Sequence, residues 1–165
     1  MGLSEDLARI TWQERELVLP HLDAEVAWQL GTSLRAMAVE RGLAVAIDVR
    51  RFGQPLFCTA LEGTTPDNAH WIRRKSNVVE RFHRSSYQVG TNLKLKGDSL
   101  AEKWGLPVAD FIAFGGSFPL RVAGAGVVGS VTVSGLTQRA DHELVVEALC
   151  AMLGRDYAEL RLEPE

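Results

Sequence analysis

The sequence predicts a single α+β domain, and three observations carry that prediction. Residues 115–135, GGSFPLRVAGAGVVGSVTVSG, hold six of the 15 glycines among apolar and β-branched residues, which is how a tight β-hairpin is composed. Two further strand-like runs, 43–49 and 54–61, flank a turn at Arg51-Phe52-Gly53 and predict a second antiparallel hairpin. Around both hairpins, apolar residues recur at helical spacing in several segments.

Size and composition bound the rest. A chain of 165 residues makes one domain, and 46% hydrophobic residues supply a core and exclude disorder. A net charge of −3 gives no basic excess for general nucleic-acid binding. No apolar run approaches the ~18 residues of a membrane-spanning helix. The opening Met1-Gly2-Leu3-Ser4-Glu5-Asp6 is acidic, carries no secretory pattern, and places Asp6 where a myristoylation signal wants Ser or Thr. The expected location is cytoplasmic. Cys58 and Cys150 sit in apolar surroundings without a CxxC, and are expected as buried free thiols in a reducing compartment.

In chain order, Ser4 is the expected N-cap of a first helix carrying Leu7, Ile10 and Leu17, stopped by Pro20. This helix is expected as an arm over about 1–20. Asp23 caps a second helix with Val26, Leu30, Leu34 and Met37 on one side, ended by Gly42. Asp48, beside Arg50 and Arg51, reads as a solvated charge cluster at a strand end. Thr65-Pro66 opens a long third helix as cap and first helical residue. A short helix follows from Tyr87, then another capped by Asp98 and closed by Gly105. Residues 108–114 are expected to be extended and to supply a fifth strand. In the glycine-rich hairpin, alternation turns Val127, Val131 and Val133 to the core and Ser130, Thr132 and Ser134 away from it. Asp141 is the expected cap of the last helix, with Leu144, Val145, Ala148, Leu149, Met152 and Leu153 as its apolar stripe and Gly154 as its stop. A short tail, about 155–165, is left as a helix extension or loose chain.

The polar chemistry concentrates on residues 66–84. Trp71, Lys75, Val78, Val79 and Phe82 mark the inward side, with Lys75 at its edge, while His70, Arg74, Asn77, Arg81 and Arg84 recur every three or four residues on another. Ser85-Ser86-Tyr87 follows at once and starts a helix, whose free N–H groups suit an anion. Arginines beside such a helix start match the geometry of a carboxylate or phosphate. A solvated face or a subunit interface has the same composition.

Other signatures fail on context. Gly124-Ala125-Gly126-Val127-Val128-Gly129 spells G-x-G-x-x-G, but it runs into a β-branched strand instead of opening the helix that a dinucleotide site needs. His21, His70, His83 and His142 form no H-x-x-x-H pair, so no metal site is legible. No catalytic constellation is recognisable.

The hairpin together with DHELVVEAL resembles the carboxyl-terminal signature of the GlcG/HbpS-like, often labelled haem-degrading, family. TTPDNAHWIRRKSNVVERFHRSS resembles an uncharacterised cytosolic branch of it. The resemblance spans about residues 43–153. It implies a profilin-like fold, with a central antiparallel sheet of about five strands flanked by helices, and homo-oligomers that bind small ligands. The expected function is therefore a homo-oligomeric domain binding a small anionic molecule, with haem or a related tetrapyrrole among the candidates. The expected ligand-binding residues are Arg73, Arg74, Lys75, Asn77, Arg81, His83, Ser85 and Ser86. The alternatives are an enzyme acting on haem or a small carboxylate, and a scaffold for protein partners. No nucleic-acid or membrane partner is expected.

Overall fold

The computed structural model describes residues 2–165. Five strands form one sheet in the order β1-β4-β5-β2-β3. They are β1 (Val18–Leu19), β2 (Ala46–Arg51), β3 (Gln54–Ala60), β4 (Ser117–Val122) and β5 (Gly126–Ser134). The two predicted hairpins, β2–β3 and β4–β5, are both present and pair through β2 and β5. Gly124 and Gly126 turn the second hairpin at φ 78° and 83°, values that non-glycine residues rarely adopt. The G-x-G-x-x-G stretch is thus a turn running into a strand.

The fifth strand is not where the sequence suggested it. Residues 108–114 form a loop, and the strand is β1, lying parallel to β4 through Val18↔Arg121 and Leu19↔Val122. The sheet is therefore mixed, with one short parallel edge. Two residues are too few to show an alternation, which is why β1 was illegible.

Among the described residues, seven helices surround the sheet: α1 (Leu3–Glu16), α2 (Ala24–Glu40), α3 (Asp67–Phe82), α4 (Ser86–Lys96), α5 (Leu100–Trp104), α6 (Gln138–Leu153) and α7 (Tyr157–Leu160). This is the α+β, profilin-like arrangement. On one face, Leu30 and Leu34 of α2 and Val145 and Leu149 of α6 meet Ile47, Val49, Phe118, Val131 and Val133. All are essentially inaccessible to water, and each such side chain contributes about 1.5–3 kcal/mol. The opposite face carries Ser117, Ser130, Thr132 and Asp48, and α3 covers it, so these polar residues are buried as well. The Ser117 and Thr132 hydroxyls bond each other at 2.9 Å.

Several helix starts shift for identifiable reasons. Gly2, not Ser4, precedes α1, and the Glu5 carboxylate accepts from the Gly2 N–H. Ser99 caps α5 by accepting from the Glu102 N–H, because the Asp98 N–H already closes α4 onto the Leu93 carbonyl. Thr137 caps α6 by accepting from the Ala140 N–H, leaving Asp141 free to face another partner. Asp23 and Ser85 cap α2 and α4 as the sequence implies. At α3, Pro66 already has helical angles and the Thr65 hydroxyl accepts from the Asp67 N–H.

Two expectations about exposure are also corrected. Asp48 is 1% exposed and forms a two-pronged pair with Arg50 at 2.7 and 2.8 Å, because α3 lies over that sheet face. Cys58 is exposed because β3 is a sheet edge, whereas Cys150 is buried; neither forms a disulfide. The two chain ends pack on the domain, with Ile10, Leu160 and Leu162 all buried.

Gly129 marks the tightest approach within the sheet. A Cβ there would lie 2.1 Å from the Arg50 carbonyl oxygen of β2. Gly129→Ala is expected to destabilise the fold by about 1–3 kcal/mol, read as a lower urea midpoint at unchanged slope. An unchanged midpoint would contradict this packing.

Candidate functional site

The polar stripe of α3 turns out to hold a loop. Arg73 donates to the Asp110 carboxylate at 3.0 Å and the Ala109 carbonyl at 2.9 Å. Arg74 donates to the Val108 carbonyl at 3.0 Å and lies over the Trp71 ring. Asn77 donates to the Asp110 carbonyl at 2.8 Å, and the Ile112 N–H returns a bond to the Arg74 carbonyl. These bonds take up the backbone groups that a strand at 108–114 would have used. They also fix the loop as a wall.

Behind that wall lies a groove of about 750 Å³. Leu93 and Leu100 line it from α4 and α5, Val108, Phe111 and Phe114 from the loop, and Leu3 and Asp6 from α1. Tyr87 and Arg139 close one end, where Arg139 pairs with Asp6 at 2.5 Å and approaches Glu165 at 3.5 Å. Lys94 stands exposed at the rim, with no ion-pair partner among the described residues. The volume falls within the range of about 300–1,000 Å³ usual for small-molecule sites.

A second groove of about 580 Å³ adjoins the first, sharing Phe114, Gln138 and Glu165 with it. Stacked Trp71 and Phe114 rings, 5.7 Å apart, form one wall. Lys75 and Asp141 line it too, although they are only 3% and 2% exposed. The Lys75 amine donates to Asp141 at 2.9 Å and to the Val133 carbonyl at 3.3 Å. Asp141 also accepts from the Leu136 N–H just before α6. Burial dominates both groups, pulling the lysine below its ordinary range and pushing the carboxyl above its own.

The remaining predicted contacts are elsewhere. Arg81 is exposed over the Phe82 ring. His83 ends α3 in the left-handed region, φ 55°, and stacks on Phe52. Ser85 and Ser86 are fully buried. The start of α4 does receive an acidic group, but from within the chain: the Ser85 N–H and hydroxyl each bond the Glu14 carboxyl at 3.2 Å. Ser86 bonds the Ser117 backbone instead. Of the eight residues, only Lys75 lines either groove.

Sequence reasoning missed the groove walls, Tyr87, Phe111, Phe114 and Arg139, and the role of Asp141. A signal for Asp141 existed, since a lysine on the inward stripe of α3 requires a buried counter-charge. Among the described residues, no three His, Cys, Asp or Glu side chains are grouped to hold a metal ion. No described helix is long and apolar enough to cross a membrane.

Residues 22–150 match the family described as haem degrading protein HbpS-like. The chain belongs to this family. The HbpS-like chain is 61% identical to a UPF0303 protein of Acidobacterium capsulatum over 162 residues, 98% of each chain. Among solved structures it is similar to the Ybr137w protein, with a TM-score of 0.82, 29% identity, and coverage of 90% of this chain and 87% of that one. It also shares its fold with the PduOC:heme complex, with a TM-score of 0.67, 16% identity, and coverage of 79% and 94%.

Glu14 offers a direct check on the electrostatics of this region. Burial raises its carboxyl from 4.5 to about 7, against the opposing pull of Ser85 and Arg84. The folded state thus holds this proton more tightly, so the contribution to stability is full below 4.5 and is lost as pH rises to about 7. Glu14→Gln keeps an acceptor for Ser85 and removes the titration. The melting temperature of the variant relative to the parent is expected to rise from about pH 5 to about pH 8. His142 and Glu143 are common to both proteins and cancel in that difference. A flat difference would contradict the raised carboxyl.

Proposed function

We propose that this protein is a cytosolic, homo-oligomeric binding module for a flat, mainly apolar small molecule with a carboxylate edge, of tetrapyrrole size, held in the first groove. The observation that carries this reading is the groove itself, whose walls are Leu93, Leu100, Val108 and Phe111, with Lys94 free at the rim. The family description and the haem complex of the PduOC neighbour support the tetrapyrrole class. The α3 side chains Arg73, Arg74 and Asn77 act on the ligand through the loop that they hold.

Haem fits this groove only in part. Its ring and a carboxylate find apolar walls and Lys94, but no histidine, cysteine or methionine among the described residues lines the groove. His70 and His83 are exposed on α3, outside it. The described residues therefore suit the macrocycle and give its iron no imidazole or sulfur ligand. An unpaired β3 edge, with exposed Trp28 packed on Phe57, supports assembly of copies, and the free Cys58 suits a reducing compartment.

The test is parallel titration with haemin and iron-free protoporphyrin IX, followed by absorption and native mass spectrometry. Both are expected to bind once per chain with similar affinity, retained on an oligomer. Phe114, which is 45% exposed, can be changed without disturbing the core. Phe114→Asp is expected to weaken binding at least about tenfold, and Arg74→Ala with Asn77→Ala roughly tenfold through loss of loop order. Unaltered affinity in Phe114→Asp, or a histidine-ligated haem spectrum, would overturn the assignment. A monomer binding neither ring would remove the reading altogether.

A further inference from the structure

The second groove has features that tetrapyrrole binding does not use. Its base holds an amine and a carboxylate, both buried, at the junction of α3, β5 and α6. The backbone leaves room for them: a Cβ on Gly116 would stand 2.7 Å from the Lys75 Nζ and 2.4 Å from the Val133 carbonyl oxygen. An ion pair placed only to join helix and sheet gains little from burial, because desolvation offsets the attraction. This pair instead borders an open cavity with an aromatic wall. Asn68 and Gln138 add amide groups beside it, and Asp67 and Glu165 are the other acids lining the cavity.

We propose that Lys75 is a reactive amine that condenses with a small aldehyde or ketone held in the second groove, with Asp141 as its proton partner. Moving the shared proton from lysine to Asp141 gives a neutral amine beside a carboxylic acid, and burial of both groups lowers the cost of that transfer. The amine lone pair attacks the carbonyl carbon, forming a C–N bond as the C=O π pair moves to oxygen. Asp141 protonates that oxygen and takes one proton from nitrogen, which gives the neutral carbinolamine. Asp141 then protonates the hydroxyl, the C–O bond breaks, and one water leaves. The product is an iminium, with one hydrogen on nitrogen, paired with the Asp141 carboxylate. One carbonyl compound is consumed and one water released, without an oxidant or reductant. The ion pair present at the start is recreated around the new C=N bond, so the buried charge stays balanced throughout.

The stacked Trp71 and Phe114 rings select a flat or unsaturated carbonyl compound, and the two amides suit a polar group on its far side. This site is separate from the tetrapyrrole reading, and either can fail alone.

The chain provides its own controls, because its other lysines, Lys94, Lys96 and Lys103, are all exposed. Full-length protein at neutral pH is incubated with benzaldehyde and cyanoborohydride, and each lysine is quantified by peptide mass spectrometry. Lys75 is expected to be trapped at least about tenfold faster than the exposed three, with a rate that saturates in aldehyde. Asp141→Asn, checked for folding by its melting curve, is expected to remove that preference while the other three react as before. Trp71→Ala distinguishes the two grooves, because Trp71 lines only the second: it should raise the aldehyde concentration at which trapping at Lys75 saturates and leave protoporphyrin binding, measured on the same sample, unchanged. Labelling of Lys94, Lys96 and Lys103 with Lys75 untouched would show a purely structural pair and overturn the proposal. So would equal labelling of all four.

Discussion

A lysine cannot be buried alone. Once α3 lies across the sheet with Lys75 on its inner side, an acid has to meet it, and Asp141 does so from the first turn of α6. That single requirement couples elements far apart in the chain. It sets the rotation of α3 over the polar sheet face and keeps the cap of α6 at Thr137. It also needs the backbone at Gly116 to stand clear of the amine. With the inner side of α3 so fixed, its outer stripe points at residues 108–112 and ties them down. The two grooves are the space left on either side of that tethered loop.

The sheet explains why both of its faces could be buried with such different chemistry. Valines on one face of β5 join the main core, while Ser130, Thr132 and Ser134 on the other lie beneath α3. Short hydroxyl side chains let a helix come close without needing large apolar partners. Hydroxyl pairing between Ser117 and Thr132 satisfies part of that layer from within.

Both hairpins, the order of the long helices and the apolar stripe of α6 could be read from residue periodicity, because each repeats over enough residues to give a signal. The short β1 strand could not, and neither could the loop at 108–114, whose Val108, Phe111, Ile112 and Phe114 look extended until the α3 bonds are known. Charge was legible as composition but not as destination. Arg73, Arg74 and Asn77 were legible as a polar stripe but not as the side chains that bond the 108–112 loop, and Asp48 looked solvated and is covered. Pairings across the fold, such as Lys75 with Asp141 or Glu14 with Ser85, involve partners more than sixty residues apart. Local pattern carries no record of them.

The carboxylate that Glu14 lends to the start of α4 has a consequence for how this protein meets its surroundings. A helix start of this kind usually collects phosphate or sulfate from solution, and those ions then compete with genuine ligands. Here the position is filled by a covalently attached guest, whose local concentration no buffer can match. The dipole of α4 is thereby withdrawn from the exchange between protein and medium. What reaches the start of α4 is decided by the fold itself and not by the composition of the medium.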